Sequence, residues 1–443
     1  MSRLFGTDGV RGVANRDLTP DLALALGRAA GLVLAPGGGR VVAGRDTRLS
    51  GPMLQGALTA GLCSAGARVL DAGVLPTPGV AWLVREEAAA AGAMISASHN
   101  PVPDNGIKFF SGIGTKVSGD EEAAIEELLV ETREDLPTGE DVGTVDAVAG
   151  AAERYVDHLV GSLDGSLHGL RVVLDCAHGA AWSVGPEAFR RAGADVIAIN
   201  DTPDGARINV DCGSTSLDAL AKTVVAEGAA FGVGLDGDAD RALAVDETGA
   251  VIDGDRIIAL AALHLKEKGA LDGDLVVTTV MTNLGLRRAL ARAGIDVVSV
   301  PVGDRFVAEA MTEHGAVLGG EQSGHVIFST HSTTGDGVFT GLALAEIVAA
   351  AERPLSELAA VFEPYPQVLL NVRTADRGAL EGAEEVWGAV REAESALGES
   401  GRVLLRASGT EPLVRVMVEA EDAATADRVA RELAALVEAR LGA

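Results

Sequence analysis

The chain is 443 residues long, 47% hydrophobic but only 3% aromatic, and carries a formal net charge of −28. A chain of this length has room for about three domains with sizeable cores, and with so few rings those cores must be Ala, Val and Leu packing. The acidic field repels nucleic acid and anionic membrane surfaces, so neither is an expected partner.

In chain order, the first nine residues, M-S-R-L-F-G-T-D-G, lack the charged-then-apolar order of a signal peptide. An apolar run, V-V-A-G at 41–44, leads into a helix-like stretch at 52–65 opened by Ser50 and Pro52. A-G-A-R-V-L-D at 65–71 then reads as a glycine-ended helix followed by a second strand. A polar segment rich in turn residues at 134–150 predicts a linker. The same order recurs from R-V-V-L-D (171–175) to A-G-A-D-V-I-A-I (192–199), and from L-V-V-T-T-V (275–280) to A-G-I-D-V-V-S-V (293–300). Short apolar strands alternating with helices predict three related α/β domains with mixed, largely parallel sheets, at 1–150, 151–254 and 255–365. Pro364 and Pro366 mark another linker. Beyond it V-L-L-N-V-R, a helix near 376–397, R-V-L-L-R-A and L-V-R-V-M-V-E predict a smaller α+β domain at 366–443. No apolar run approaches a bilayer span. Cys63, Cys176 and Cys212 are too few and scattered for a disulfide framework or a zinc site, so a reduced, cytoplasmic protein is expected.

Four loops carry chemistry. M-I-S-A-S-H-N-P (94–101) offers Ser98 beside a histidine, and D-G-D-A-D-R (236–241) offers Asp236, Asp238 and Asp240 at alternate positions. In an extended loop such positions project to one side. Three carboxylates together repel one another unless a divalent cation lies between them, and magnesium, which bridges carboxylates to phosphate, fits. An EF-hand is excluded because no helix–loop–helix surrounds the run, although a solvated acidic loop or another calcium site stays open. G-E-Q-S-G-H (320–325) joins a carboxylate, a hydroxyl and an imidazole, a set suited to sugar hydroxyls or to a plain polar turn. R-A-S-G-T-E-P-L-V-R (406–415) gathers Arg406, Ser408, Thr410 and Arg415 around Gly409, whose backbone can approach an anion. In each α/β unit a strand runs directly into one of the first three loops, and ligands of open α/β sheets gather beyond strand ends.

These loops, in order and over essentially the whole length, resemble those of the α-D-phosphohexomutases. F-G-T-D-G-V-R-G (5–12), S-A-S-H-N-P (96–101), D-N-G-I-K-F-F (104–110), D-G-D-A-D-R, G-D-R (303–305), G-E-Q-S-G-H and R-A-S-G-T-E-P carry the resemblance. I-N-V-D-C-G-S-T (208–215) and G-E-Q-S-G-H point to the glucosamine branch. Two departures stand out: Val102-Pro103, and His178 in D-C-A-H-G-A, read as a helix-start or packing residue.

The resemblance implies a four-domain architecture with loops meeting at a central cleft. It implies interconversion of glucosamine 6-phosphate and glucosamine 1-phosphate, on the route to UDP-N-acetylglucosamine and peptidoglycan. Ser98 would carry a phosphoryl group, and glucosamine or glucose 1,6-bisphosphate would be intermediate or activator. One magnesium ion would be held by Asp236, Asp238, Asp240 and Ser98. Arg11, Lys108 and His325 would lie near the transferring group. Lys108, with a pKa lowered by neighbouring cations, is the expected acid–base group, because an arginine is a poor base; the alternative is a phosphate counter-ion only. Substrate binding falls to Thr7, His99, Asn100, Arg241, Asp304, Arg305, Glu321 and Ser323, with Arg406, Ser408, Gly409, Thr410 and Arg415 on the phosphate that is not reacting. The partner is a hexosamine phosphate, and a homodimer is the assembly to test. Three alternatives stay open: a sister mutase for glucose or mannose phosphates, a sugar phosphatase with an aspartyl nucleophile, and a sugar-phosphate-binding regulator.

Overall fold

The computed structural model describes residues 4–6, 8–129, 135–374, 377–407 and 413–442. The chain divides into two compact units, Met1–Thr279 with Ile295–Ala360, and Val280–Gly294 with Val361–Ala443.

The first unit holds three sheets. The first is built from β1 (Val10–Val13), β2 (Arg40–Arg45), β3 (Arg68–Val74), β4 (Ala91–Ile95), β5 (Asp104–Ser111) and β6 (Val145–Ala147), in the order β1-β5-β4-β2-β3-β6. Strands β4, β2, β3 and β6 run parallel, whereas β5 lies antiparallel to both β4 and β1. The second contains β7 (Arg171–Asp175), β8 (Asp195–Ile199), β9 (Phe231–Leu235), β10 (Ala242–Asp246) and β11 (Val251–Ile252), in the order β11-β10-β9-β7-β8. The third contains β12 (Leu275–Thr279), β13 (Asp296–Val300), β14 (Leu318–Gly320) and β15 (Val326–Phe328), in the order β13-β12-β14-β15.

One plan recurs. A parallel core ends in an antiparallel pair, β4/β5, β9/β10 or β14/β15. Each of the first three chemistry-bearing loops is the connection within such a pair. The Val- and Ala-rich strands pack on both faces: every residue of β4 and β9 is buried. Gly66, Gly193 and Gly294 each follow a helix with positive φ and turn the chain into β3, β8 and β13, as the Ala-Gly pattern predicts.

Helices Pro20–Leu34 and Gly51–Ser64 cross at glycines. A Cβ at Gly27 would meet the Leu58 carbonyl oxygen at 2.1 Å, and one at Gly61 the Leu24 oxygen at 2.1 Å. Only hydrogen fits at either crossing point, which draws the two backbones together.

The expected linker at 134–150 is in part a strand. Val145–Ala147 adds β6 to the free edge of β3. Its three residues are exposed, so it shows none of the alternation by which a half-buried strand is recognised. His178 is not a helix start either. It is buried at φ 52, in a left-handed turn with Ala177, and its carbonyl accepts from Thr47 Oγ1 at 2.5 Å.

In the second unit β16 (Gln367–Arg373), β17 (Gly401–Ala407) and β18 (Leu413–Ala420) form an antiparallel sheet in the order β16-β18-β17. Helices Glu384–Leu397 and Ala423–Leu441 cover it through Val386, Val390, Val429 and Leu433. The helix expected near 376 begins at Glu384, after a short 3-10 turn at Arg377–Leu380. Among the described residues, no helix is long and apolar enough to cross a membrane.

Candidate active site

Ser98 lies in the β4–β5 connection, is buried, and sits at φ 52. A residue with a Cβ pays for that left-handed conformation, so its surroundings must impose it. Its N–H donates to Ser96 Oγ at 2.9 Å, its Oγ donates to Asp236 Oδ2 at 2.5 Å, and His99 Nδ1 lies 3.2 Å from Oγ. Burial, then the charge of Arg241, pushes the His99 pKa down to about 4, so the ring is neutral near pH 7.

Asp236, Asp238 and Asp240 occupy the β9–β10 turn. They converge because the turn is tight, with Ala239 at φ 56, and not through an extended alternation. All three are buried, and one oxygen from each lies within 4.8 Å of the others. Asp238 Oδ1 and Asp240 Oδ1 are buried without a hydrogen-bond partner. Buried lone pairs without donors are costly, and a hard cation would satisfy them, so the donor set fits a divalent metal.

The carboxylates titrate apart. Burial, reinforced by the charges of Asp240 and Asp238, drives the Asp236 pKa well up. Burial also acts on Asp238, but Lys108 overrides it and holds that group at about 2. Lys108 Nζ is 2.8 Å from Asp238, 3.4 Å from Asp240 and 3.8 Å from Asp8, and Thr77 Oγ1 donates to Asp238 at 2.6 Å. This corrects the expectation of a lowered Lys108 pKa. Burial does favour the neutral amine, but the carboxylates outweigh it and raise the pKa.

A charge chain continues to the third sheet. Asp8 receives Arg11 Nη2 and, at 2.6 Å, Lys116 Nζ; Lys116 also reaches Asp304 at 2.6 Å. Arg11 Nη1 donates to Asn100 Oδ1 at 3.1 Å. Asp304 lies 3.6 Å from His325 Nε2, which accepts the Gly335 N–H at 3.2 Å. Arg241 is held above its ordinary pKa: burial opposes its charge, but Asp240 and Asp236 prevail. Glu321 Oε1 accepts the Gly303 N–H at 3.1 Å, and Arg305 pairs with Glu122. A cavity of about 840 Å³, bordered by Lys116, Asp304 and Arg305, adjoins this chain; Ser98 and the three aspartates do not line it.

Thus Ser98, His99, Asn100, Arg11, Lys108, Arg241, the three aspartates, Asp304 and His325 fall in one network. Ser323 is exposed at the tip of the β14–β15 turn, and Glu321 is buried at its start. In the second unit Arg406 and Arg415 stand directly opposite on β17 and β18, and Arg406 is depressed in pKa by burial and then by Arg415. Two arginines facing across a ladder concentrate positive charge at one place on the sheet. Thr7, Ser408, Gly409 and Thr410 lie outside the described residues. Asp8, Thr77, Lys116 and Glu122 complete the network although no expected role falls on them. Asp8 lay inside the quoted F-G-T-D-G motif, but the other three carry no local signal, because their partners are distant in the chain.

Models of the phosphoglucomutase/phosphomannomutase family match four stretches: α/β/α domains I, II and III at residues 2–135, 153–249 and 253–365, and the C-terminal domain at 369–436. The chain belongs to this family. Within it, the chain is 54% identical to the phosphoglucosamine mutase of Moorella thermoacetica over 95% of this chain and 96% of that one. It is likewise 54% identical to the phosphoglucosamine mutase of Streptomyces coelicolor over the full length of both. Among solved structures, a phosphoglucomutase/phosphomannomutase family protein from Burkholderia thailandensis superposes with a TM-score of 0.85 at 27% identity, covering 99% of this chain and 98% of that one. Aspergillus fumigatus N-acetylphosphoglucosamine mutase, solved with GlcNAc-6P and magnesium, shares the fold at a TM-score of 0.70 and 18% identity, over 98% and 95% of the two chains. The family resemblance and the mixed α/β fold class read from the sequence both hold.

Proposed function

We propose that the protein is a phosphoglucosamine mutase. It interconverts glucosamine 6-phosphate and glucosamine 1-phosphate through phosphorylated Ser98 and a 1,6-bisphosphate. The observation that carries this reading is Ser98 Oγ at 2.5 Å from a buried three-carboxylate cradle with orphaned oxygens.

In the forward step the Oγ–phosphorus bond of phosphoserine breaks as the sugar hydroxyl oxygen bonds to phosphorus. The hydroxyl loses its proton and Ser98 Oγ regains one. Asp236, Asp238, Asp240 and Ser98 would hold a magnesium ion, which supplies charge neutralisation for the phosphoryl group. Lys108 stays an ammonium, so it acts as electrostatic support and not as the base. Arg11 and Arg241 add positive charge around the same group. Neutral His99, with Nδ1 3.2 Å from Oγ, supports the same group as a polar neighbour, while the serine proton is directed at Asp236. Glu321 and Ser323 address the sugar, His325 stays on the side of the transferring group, and the facing pair Arg406 and Arg415 is suited to a phosphate. The bisphosphate intermediate returns its other phosphate to Ser98. We place the protein in the cytoplasm, consistent with three unpaired cysteines.

The test is label transfer. Enzyme charged with radiolabelled glucose 1,6-bisphosphate should carry label on Ser98 and pass it to glucosamine 6-phosphate, and Ser98→Ala should be inert. Phosphate release from the sugar phosphate left largely intact in Ser98→Ala would refute the reading in favour of an aspartyl-nucleophile phosphatase. Comparing kcat/KM for glucosamine, glucose and mannose phosphates separates the sister mutases, and sugar-phosphate binding with neither label on Ser98 nor turnover would identify the regulator.

A further inference from the structure

Arg48 follows β2 in the turn D-T-R at 46–48, and none of its surface is exposed. All five guanidinium donors are engaged. Nε binds Asp46 Oδ2 at 3.0 Å, Nη1 binds the carbonyls of Pro101 and Asp104 at 2.7 and 2.9 Å, and Nη2 binds those of Ser98 and Asn100 at 2.9 and 2.7 Å. Asp46 also accepts from Ser96 Oγ, the group that receives the Ser98 N–H. One buried ion pair therefore holds both sides of the serine turn.

A second donor reaches the same carbonyls from another sheet. Asn209, in the I-N-V-D segment after β8, stands at φ 59 and directs Nδ2 to the Ser98 carbonyl at 2.9 Å and the Asn100 carbonyl at 3.4 Å. Gly237 of the aspartate turn closes on this junction: a Cβ there would meet the Ser98 oxygen at 2.6 Å and Asn209 Nδ2 at 2.9 Å. Gly205 rests as closely on the D-T-R turn, where a Cβ would meet the Thr47 oxygen at 2.1 Å.

We infer that Arg48 and Asn209 are positioning residues for phosphoryl transfer: a carbonyl clamp, fed from two sheets, that holds Ser98 in its left-handed conformation and aims Oγ at the aspartate cradle. A guanidinium fork suits four convergent carbonyls, where an ammonium lacks the fixed geometry. Asn209 ties the turn to the sheet bearing the cradle, so serine and metal ligands keep register. The inference rests on the phosphoserine reading, and two readouts separate their failures.

Asn209→Ala removes the second donor while leaving the Arg48 ion pair. Loss of one such hydrogen bond should quicken amide exchange of the 96–100 segment about tenfold and slow single-turnover transfer from charged Ser98 about tenfold. KM for glucosamine 6-phosphate should not move, and the global unfolding midpoint should fall by no more than the loss of one hydrogen bond, leaving the protein folded under assay conditions. Arg48→Lys should slow transfer further if it folds; Asn209→Ala decides the matter without it. Unchanged exchange, or transfer slowed only in proportion to unfolded protein, overturns the clamp. If wild-type Ser98 never takes label, the mutase reading fails, and the exchange experiment still decides whether the clamp holds the turn.

Discussion

Replacing Lys108 by methionine tests how the buried charges are balanced. With an effective dielectric near 20, the pairs at 2.8, 3.4 and 3.8 Å sum to a gross attraction of roughly 15 kcal/mol. Desolvation of the four groups takes back most of that, and breaking a buried pair by removing one partner nets about 3–5 kcal/mol of destabilisation. Without divalent cation, Lys108→Met should lose that amount in urea unfolding. Saturating magnesium should recover more for the variant than for wild type, because the ammonium no longer competes for Asp238 and Asp240. Mass action sets the scale: about 2.7 kcal/mol at a hundredfold excess over Kd. The pH dependence fixes the sign. Asp238 is held at about 2 in the fold against an ordinary 3.8, so its contribution is present above 3.8 and is lost as pH falls through 2. The gap between wild type and variant should close over that window. A loss below about 1 kcal/mol without cation, or an equal loss with and without magnesium, would refute the reasoning.

Three other outcomes are expected. His158 stacks between Trp82 and His331 and is held at about 4, by burial first and His331 second, so only the unfolded chain binds its proton between 4 and 6.5. Wild-type stability should therefore rise with pH across that window, and part of the slope should vanish in His158→Phe when melting is followed against pH. Gly27→Ala forces a Cβ against a carbonyl 2.1 Å away and should cost about 1–3 kcal/mol or more, read as a lower urea midpoint. Chelation should abolish mutase turnover while leaving circular dichroism unchanged, and magnesium should restore it; turnover that survives chelation would count against the aspartate cradle.

Core strands such as β4 and β9 were legible as short buried apolar runs, and the Ala-Gly signals mark where helices end. The fully exposed β6 was not, since nothing about it repeats with a period of two. Ser98 and the three aspartates stood out as dense local patterns. Their convergence through a turn at Ala239 did not, because backbone sign is invisible in D-G-D-A-D. The Lys108 expectation failed for a related reason. Its environment comes from Asp8 and from aspartates some 130 residues downstream, and only the fold reveals that its neighbours are anions. Arg48 left no trace: an arginine spent on main-chain oxygens looks in sequence like any surface arginine.

The three strand-pair connections share one backbone plan but not one chemistry. The first carries the hydroxyl, the second the carboxylates, the third the glutamate and imidazole. Each group hangs from its own strand pair, so a change at one connection leaves intact the backbone ladders that carry the other two.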